Sequence, residues 1–293
     1  MSAATETAGA VKTGGGVMGW LRGPITIAVF TWRESMRKRT LVGFLLLSLL
    51  VIFGATFMTS FMNQQTVGEE AHDVDMKLIK DICITAISIF GVLITIFTSA
   101  SAVPAEVENK VIYTVLSKPV RRIQYLFGKF LGVQMTVVMN LALMGGLFFA
   151  ALYMRQGVPP TLLLWAILMT YFEFLIISAF TFAVAATASS SVLPTIAGLF
   201  IYITGNLTEY LNDVAVRAED AAGVADKAIG AIASALHMVL PNLQNFSMRM
   251  ELVNGLPNDA PNMAMIPNLI VYSLVYSACG FAMAYWIFRR KEM

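Results

Sequence analysis

The sequence predicts an all-α integral membrane protein. Hydrophobic residues make up 57% of the 293 residues and charged residues only 13%, whereas a soluble domain carries roughly a quarter charged residues. Mean hydropathy is +0.71. The apolar residues gather into runs close to the roughly 20 residues that a helix needs to cross a bilayer core. We expect six transmembrane helices, an amphipathic elbow helix before them, and a short helix in a cytoplasmic loop.

The N-terminal part divides into a tail and an amphipathic helix. Residues 1–23 are small and glycine-rich and have no signal-peptide core, so we expect a disordered cytoplasmic tail. An elbow helix over residues 24–39 follows, and Pro24 suits its first position. Its basic residues face away from one apolar stripe, as in helices that lie on anionic membrane surfaces. The stripe consists of Ile25, Ala28, Val29, Trp32 and Met36.

Six apolar segments are the expected spans. In chain order they are residues 41–62, 82–103, 130–154, 162–187, 192–207 and 266–288. The fifth is the shortest and begins near Pro194. Residues 24–293 thus form one transmembrane domain. Its largest polar insertion, residues 208–265, is too long for a simple turn and too poor in large apolar residues for an independent domain.

The distribution of basic residues gives the orientation. Six spans place both termini on one side, and that side would hold fourteen of the 20 Lys and Arg residues. Cytoplasmic segments carry an excess of Lys and Arg. We therefore expect a multi-pass protein of the cytoplasmic (inner) membrane, with both termini and the loop 104–129 in the cytoplasm and residues 208–265 outside.

The loop 104–129 has the pattern of a short helix. Glu106 and Glu108 precede its apolar residues and Lys118 lies near the other end, which suits the helix dipole, and Pro119 ends the segment. Such a helix can lie against the membrane and offer its other face to a partner. A helix that contacts lipid alone is the alternative. The apolar residues recur at helical spacing, at Val111, Ile112, Val115 and Leu116.

Three polar side chains are candidates inside the membrane. Glu173 is the one ionisable side chain within a clear span, and such residues are costly and face a partner or a pathway. It is either a structural brace, hydrogen-bonded to Asn140, Thr170 or a neighbouring helix, or part of a substrate or proton path. Asn140 and Asn206 are expected to hydrogen-bond between helices. The spacing Gly128-x-x-x-Gly132 allows close helix approach, although at the membrane edge.

The sequence lacks the catalytic motifs of several kinds of membrane enzyme. The chain has no His-Glu-x-x-His zinc motif, and no expected span contains an Asp for an aspartyl intramembrane protease. Nor is there a Gly-x-x-x-x-Gly-Lys-Ser/Thr phosphate loop. We expect no catalytic, metal or cofactor site in this chain. If ATP drives the protein, another chain binds it.

The order of parts and several phrases resemble those of ABC-2-type permease subunits of ABC transporters. The resemblance covers residues 24 to 291, and within the superfamily it is greatest to the branch of the nitrous oxide reductase maturation permease. Before the last span, Leu240-Pro-Asn-Leu-Gln-Asn-Phe246 is also similar to a phrase of these permeases. The phrases of the loop 104–129 are the acids Glu106 and Glu108, the segment Tyr113-Thr-Val-Leu-Ser-Lys-Pro119, the pair Arg121-Arg122 and Gly128-Lys129.

This resemblance implies a function and partners. Two permease copies, or a permease and a close paralogue, would pair in the membrane, and cytoplasmic ATPase subunits would dock on the loop helix as a coupling helix. The expected function is ATP-driven translocation, export by family type, with no nucleic acid involved. The alternative is a non-transporting subunit that transmits ATPase motion to an outer partner through residues 208–265. The expected ATPase-coupling residues are Glu106, Glu108, Tyr113, Leu116, Lys118, Pro119, Arg121 and Arg122.

Overall fold

A computed structural model describes residues 17–63, 69–108, 121–208, 210, 216, 230, 241–255 and 265–290. These residues form helices and connections, and no strand occurs among them. A 3₁₀ turn, Gln244–Phe246, precedes the eighth helix. The helices are α1 Val17–Met36, α2 Arg39–Asn63, α3 Glu69–Ser101, α4 Pro104–Glu108, α5 Arg122–Gln156, α6 Thr161–Ala185, α7 Val192–Asn206, α8 Arg249–Asn254 and α9 Ile266–Arg290.

Five of these helices are long and apolar enough to cross a membrane: α2, α3, α5, α6 and α9. They coincide with five of the six expected spans. The helix α7 has 15 residues, which at about 1.5 Å per residue give about 22 Å, less than the roughly 30 Å of a bilayer core. The described residues therefore support five spans, and the expected span at residues 192–207 stays a prediction.

The helix α6 lies at the centre of the bundle and packs against α3, α5, α7 and α9. Each of these four neighbours brings a glycine against it. A Cβ atom at any of the four positions would lie within 3.0 Å of an α6 side chain. Without water to drive association, membrane helices gain stability from such close packing of small residues. The four glycines are Gly91, Gly145, Gly198 and Gly280.

Both described chain ends lie at the same end of the bundle. The start of α1 packs on the start of α5 at Gly128, and Arg122 donates a hydrogen bond to the backbone oxygen of Arg289 at 3.3 Å. We call this end the base and the opposite end the top. The base is the side that the basic residues predict to be cytoplasmic.

Several boundaries differ from the sequence-based expectation. The helix α3 begins at Glu69, well before the expected span 82–103, and the helix expected over residues 24–39 ends at Met36. The first helix begins at Val17, so residues 17–23 are helical and Pro24 lies inside the helix instead of at its first position. The helix α5 begins at Arg122, so residues 122–129 of the expected loop belong to a helix that continues into the third span. At the start of α5, the helical residues before the apolar run include Gly128, which packs against α1.

Candidate functional site

A buried ion pair closes the base of the bundle. The Lys129 ammonium group lies 2.5 Å from one carboxylate oxygen of Glu106, and the exposed fractions of these side chains are 2% and 7%. The Tyr125 hydroxyl donates a hydrogen bond to the other oxygen. Glu106 lies in the first turn of α4, whereas Tyr125 and Lys129 lie one turn apart on α5. We call these three side chains the base clasp, because they fasten α4 to α5.

A second lysine links the joint between α1 and α2 to the same region. Lys38 donates a hydrogen bond to the Ser101 hydroxyl, 2.9 Å away at the end of α3, and its ammonium group is 3.9 Å from Glu34. Burial lowers the pKa of Lys38 below its ordinary value, and the nearby charge of Lys129 acts in the same direction, while Glu34 and Glu106 oppose it. The two lysines and two acids thus form one electrostatic group.

Close packing of α1 against α5 completes the base. A Cβ at Gly128 would lie 2.7 Å from the backbone oxygen of Pro24, and one at Gly132 would lie 2.6 Å from Thr31 Cβ. The Gly128-x-x-x-Gly132 spacing thus lets α5 approach α1 closely, as the sequence analysis suggested. The buried line of α1 is offset by about one residue from the predicted apolar stripe, and Ile25 is 52% exposed. Small side chains and Ile27 form the contact, whereas the large apolar residues Ile25 and Phe30 are exposed. The buried line consists of Pro24, Ala28, Thr31 and Ser35.

The structure divides the predicted coupling residues into three groups. Glu106 is buried in the base clasp, so its carboxylate fastens α4 to α5 and does not form an exposed contact surface. Arg121 and Arg122 are exposed at the start of α5, where the Gln124 side chain accepts a hydrogen bond from the Arg121 N–H and so caps the helix. Glu108 ends α4. The remaining four lie outside the described residues: Tyr113, Leu116, Lys118 and Pro119.

The intramembrane candidates separate into a pair and an independent residue. Glu173 on α6 and Asn206 on α7 come together. They line a cavity of about 260 Å³ between α3, α6, α7 and residues 247–249. Asn140 instead donates to the backbone oxygen of Thr136 on its own helix, at 2.7 Å, so it is not a partner of Glu173 in this structure.

The top of the bundle is tied to the segment after the 3₁₀ turn. Arg249 donates two hydrogen bonds to the carboxylate of Asp81, at 2.6 and 2.8 Å, and these raise the pKa of Arg249 further above its ordinary value. Lys80 donates to the backbone oxygen of Gly255 at 3.1 Å. In the segment between α7 and α9, the described residues 249–255 are therefore packed on α3, whereas Asn242, Leu243 and Phe246 contact α7 and α9.

Comparison with known families agrees with this architecture. The model of the ABC-2 family transporter proteins matches residues 25–293. The chain belongs to this family. It is accordingly a multi-pass membrane permease of the ABC-transporter class, a transmembrane component that is not itself catalytic. No curated protein matches the chain significantly.

Sequence reasoning missed the partners that hold this permease together. Lys129 is part of the Gly-Lys phrase, but nothing in the sequence pairs it with Glu106, because the two residues are far apart in the chain and lie on different helices. Another missed contact joins α5 to α6, where Gln134 Nε2 donates to Ser178 Oγ at 2.7 Å. A buried Gln facing a Ser is common between membrane helices. The only sequence signal is that both polar residues interrupt apolar runs.

Proposed function

We propose that this permease is the membrane half of an ATP-driven transporter whose base receives a separate ATPase subunit. Family membership supports the permease part, and the chain has no phosphate loop of its own. The coupling part rests on one observation. The base clasp holds the start of the segment 104–120 against the helix that follows it, so a force on this segment acts directly on the bundle.

The connections at the base explain how the force would spread. Glu106 and Lys129 join α4 to α5, close packing at Gly128 and Gly132 joins α5 to α1, and Lys38 joins the α1–α2 joint to the end of α3. Helices fastened in this way move together as a rigid body instead of bending separately. Closure of the ATPase subunits would then tilt α3 and α5 relative to the rest of the bundle.

The partners and orientation follow from the same proposal. The base is cytoplasmic, because most basic residues lie on that side, and the protein lies in the inner membrane. A second permease copy or close paralogue completes the transporter, and export is the proposed direction. The similarity to the nitrous oxide reductase maturation branch also belongs to this proposal. Lipid is expected against the exposed large apolar side chains of α2 and α9.

The experiment is co-purification of the tagged full-length permease with its ATPase from native membranes. The Leu116→Asp variant places a charge in the proposed coupling helix and should lose the ATPase subunit and its vanadate-sensitive ATP hydrolysis. The matched control is Met250→Asp, which changes a 74% exposed apolar residue at the top and should retain both. If Leu116→Asp retains the subunit as well as the control does, the proposed docking position is wrong.

The same preparation separates transport from the alternative of mechanical transmission. Stimulation of ATP hydrolysis by a transported substrate in proteoliposomes supports a transporter. ATP hydrolysis that responds only to a protein bound at the top supports a subunit that passes ATPase motion across the membrane.

A further inference from the structure

Three polar side chains that line the cavity beside Glu173 donate hydrogen bonds to backbone oxygens of their own helices. The hydroxyl groups of Thr85 and Thr170 donate to backbone oxygens of their own helices, at 2.6 and 2.8 Å. Asn206 Nδ2 donates to the backbone oxygen of Tyr202 at 3.0 Å. A hydroxyl group has one proton to donate but two acceptor lone pairs. The Thr85 and Thr170 oxygens therefore offer lone pairs to the cavity and can accept hydrogen bonds from a ligand with N–H donors.

Of the described residues that line the cavity, Glu173 supplies the one carboxyl group. Glu173 is 7% exposed, and among the described residues no ion pair within 4.0 Å joins it to a basic side chain. Arg249 reaches the rim of the cavity, but its guanidinium group is bound to Asp81 through two hydrogen bonds. A buried carboxylate in a membrane protein requires compensation by a partner or a proton. A cationic ligand would provide it.

The size of the cavity and its single carboxylate limit the kind of cation. The volume of about 260 Å³ is below the roughly 300–1,000 Å³ of pockets for drug-sized ligands. Among the described residues no group of three His, Cys, Asp or Glu side chains could hold a metal ion, and divalent calcium or magnesium prefers several oxygen ligands including carboxylates. A small organic cation with N–H donors matches the charge, the acceptors and the volume.

We infer that the Glu173 cavity is a binding site for a primary ammonium group, carried either by a small soluble amine or by an aminolipid headgroup. The ammonium group would pair with the Glu173 carboxylate and donate to the Thr85 and Thr170 oxygens. The inference does not depend on coupling to an ATPase, because it rests only on the cavity. It also unites the two sequence-based interpretations of Glu173, since Asn206 braces the carboxyl group and leaves it facing the cavity.

The test measures protection of Glu173 from N,N′-dicyclohexylcarbodiimide in the full-length protein. This hydrophobic reagent modifies protonated carboxyl groups in apolar surroundings, and a bound ammonium ion keeps the carboxylate ionised and blocks access. Nanodiscs of phosphatidylglycerol receive n-butylammonium, n-butanol or butyrate, and mass spectrometry of the Glu173 peptide gives the labelling rate. At about ten times Kd, n-butylammonium should slow labelling about tenfold, whereas the other two should not.

A second set of nanodiscs distinguishes the two sources of the ammonium group. Phosphatidylethanolamine without any soluble amine should protect Glu173 if the headgroup is the ligand, and phosphatidylcholine, which has no N–H donor, should not. Protection by the soluble amine alone indicates a soluble ligand. The inference is overturned by protection from neither source, by equal protection from n-butanol, or by complete absence of Glu173 labelling, which would show a closed cavity.

The Glu173→Gln variant gives an independent measurement. It removes the carboxyl group but keeps the size and polarity of the side chain, so the bundle should remain folded, as thermal unfolding would verify. Saturation-transfer NMR should show binding of n-butylammonium weakened about tenfold or more, since tenfold corresponds to about 1.4 kcal/mol. The control Glu251→Gln changes an exposed acid on α8 and should bind as wild type. Equal binding by both variants would contradict the inference.

Discussion

Neutralising Glu106 should destabilise the permease far more than removing the buried ion pair as a unit. In Glu106→Gln, the Lys129 ammonium group remains buried, with 2% of its side chain exposed, and has lost its counter-ion. Removing one partner of a buried pair costs about 3–5 kcal/mol. Lys129→Met should cost less, about 1.5–3 kcal/mol, because Glu106 keeps the hydrogen bond from Tyr125.

The double variant Glu106→Gln/Lys129→Met provides the decisive comparison. It removes both charges, keeps the side-chain volumes similar, and leaves an amide oxygen to accept the Tyr125 hydrogen bond. Replacing a buried ion pair by neutral side chains of similar volume is often neutral. The free energy of unfolding should therefore lie within about 1 kcal/mol of wild type, so that the second substitution restores about 2 kcal/mol or more of the stability lost in Glu106→Gln.

The assay is reversible unfolding of the purified protein by sodium dodecyl sulfate in mixed micelles, followed by fluorescence of the four tryptophans. The matched control is Glu34→Gln, also at the base, because the Glu34 side chain is 36% exposed and lies 3.9 Å from Lys38. Exposed pairs contribute about 1 kcal/mol or less. Two results would refute the reasoning: additive losses in the double variant, or equal losses in Glu106→Gln and Glu34→Gln.

Two further predictions concern the contact of α1 with α5 and the top of the bundle. Gly132→Ala should be less stable than Gly146→Ala by about 1–3 kcal/mol in the same assay. Both substitutions raise helix propensity. A Cβ at position 132 would lie 2.6 Å from Thr31 of another helix, whereas a Cβ at position 146 would meet no atom of another helix within 4 Å. Asp81→Asn should lower the free energy of unfolding by about 1 kcal/mol or less, because the Asp81 and Arg249 side chains are 38% and 49% exposed. The loss should be smaller in high salt, which screens the pair. Equal stability of the two alanine variants, or a large salt-independent loss in Asp81→Asn, would contradict these predictions.

Helix positions could largely be predicted from the sequence because span length and apolar composition are local requirements of the bilayer. The start of α5 was harder to place. Arg121 and Arg122 suggest a loop by their charge, but the helix includes Arg122 because packing of α1 on Gly128 and Gly132 supports its first turns. The same packing rotates the buried line of α1 away from its large apolar side chains. Hydrophobic pattern alone favours those side chains, whereas close packing between membrane helices favours small ones.

The partners of charged side chains depended on the tertiary structure. The sequence by itself determined that this is a membrane protein with a polar loop between its second and third spans and a costly carboxyl group in its fourth, since these features follow from hydropathy and charge along the chain. The permease function was implied by the family resemblance. The sequence did not determine that Glu106 pairs with Lys129 or that Glu173 meets Asn206. Each of these contacts joins different helices, and burying a charge is tolerated only where packing brings its partner within hydrogen-bonding distance. That distance is a property of the folded bundle.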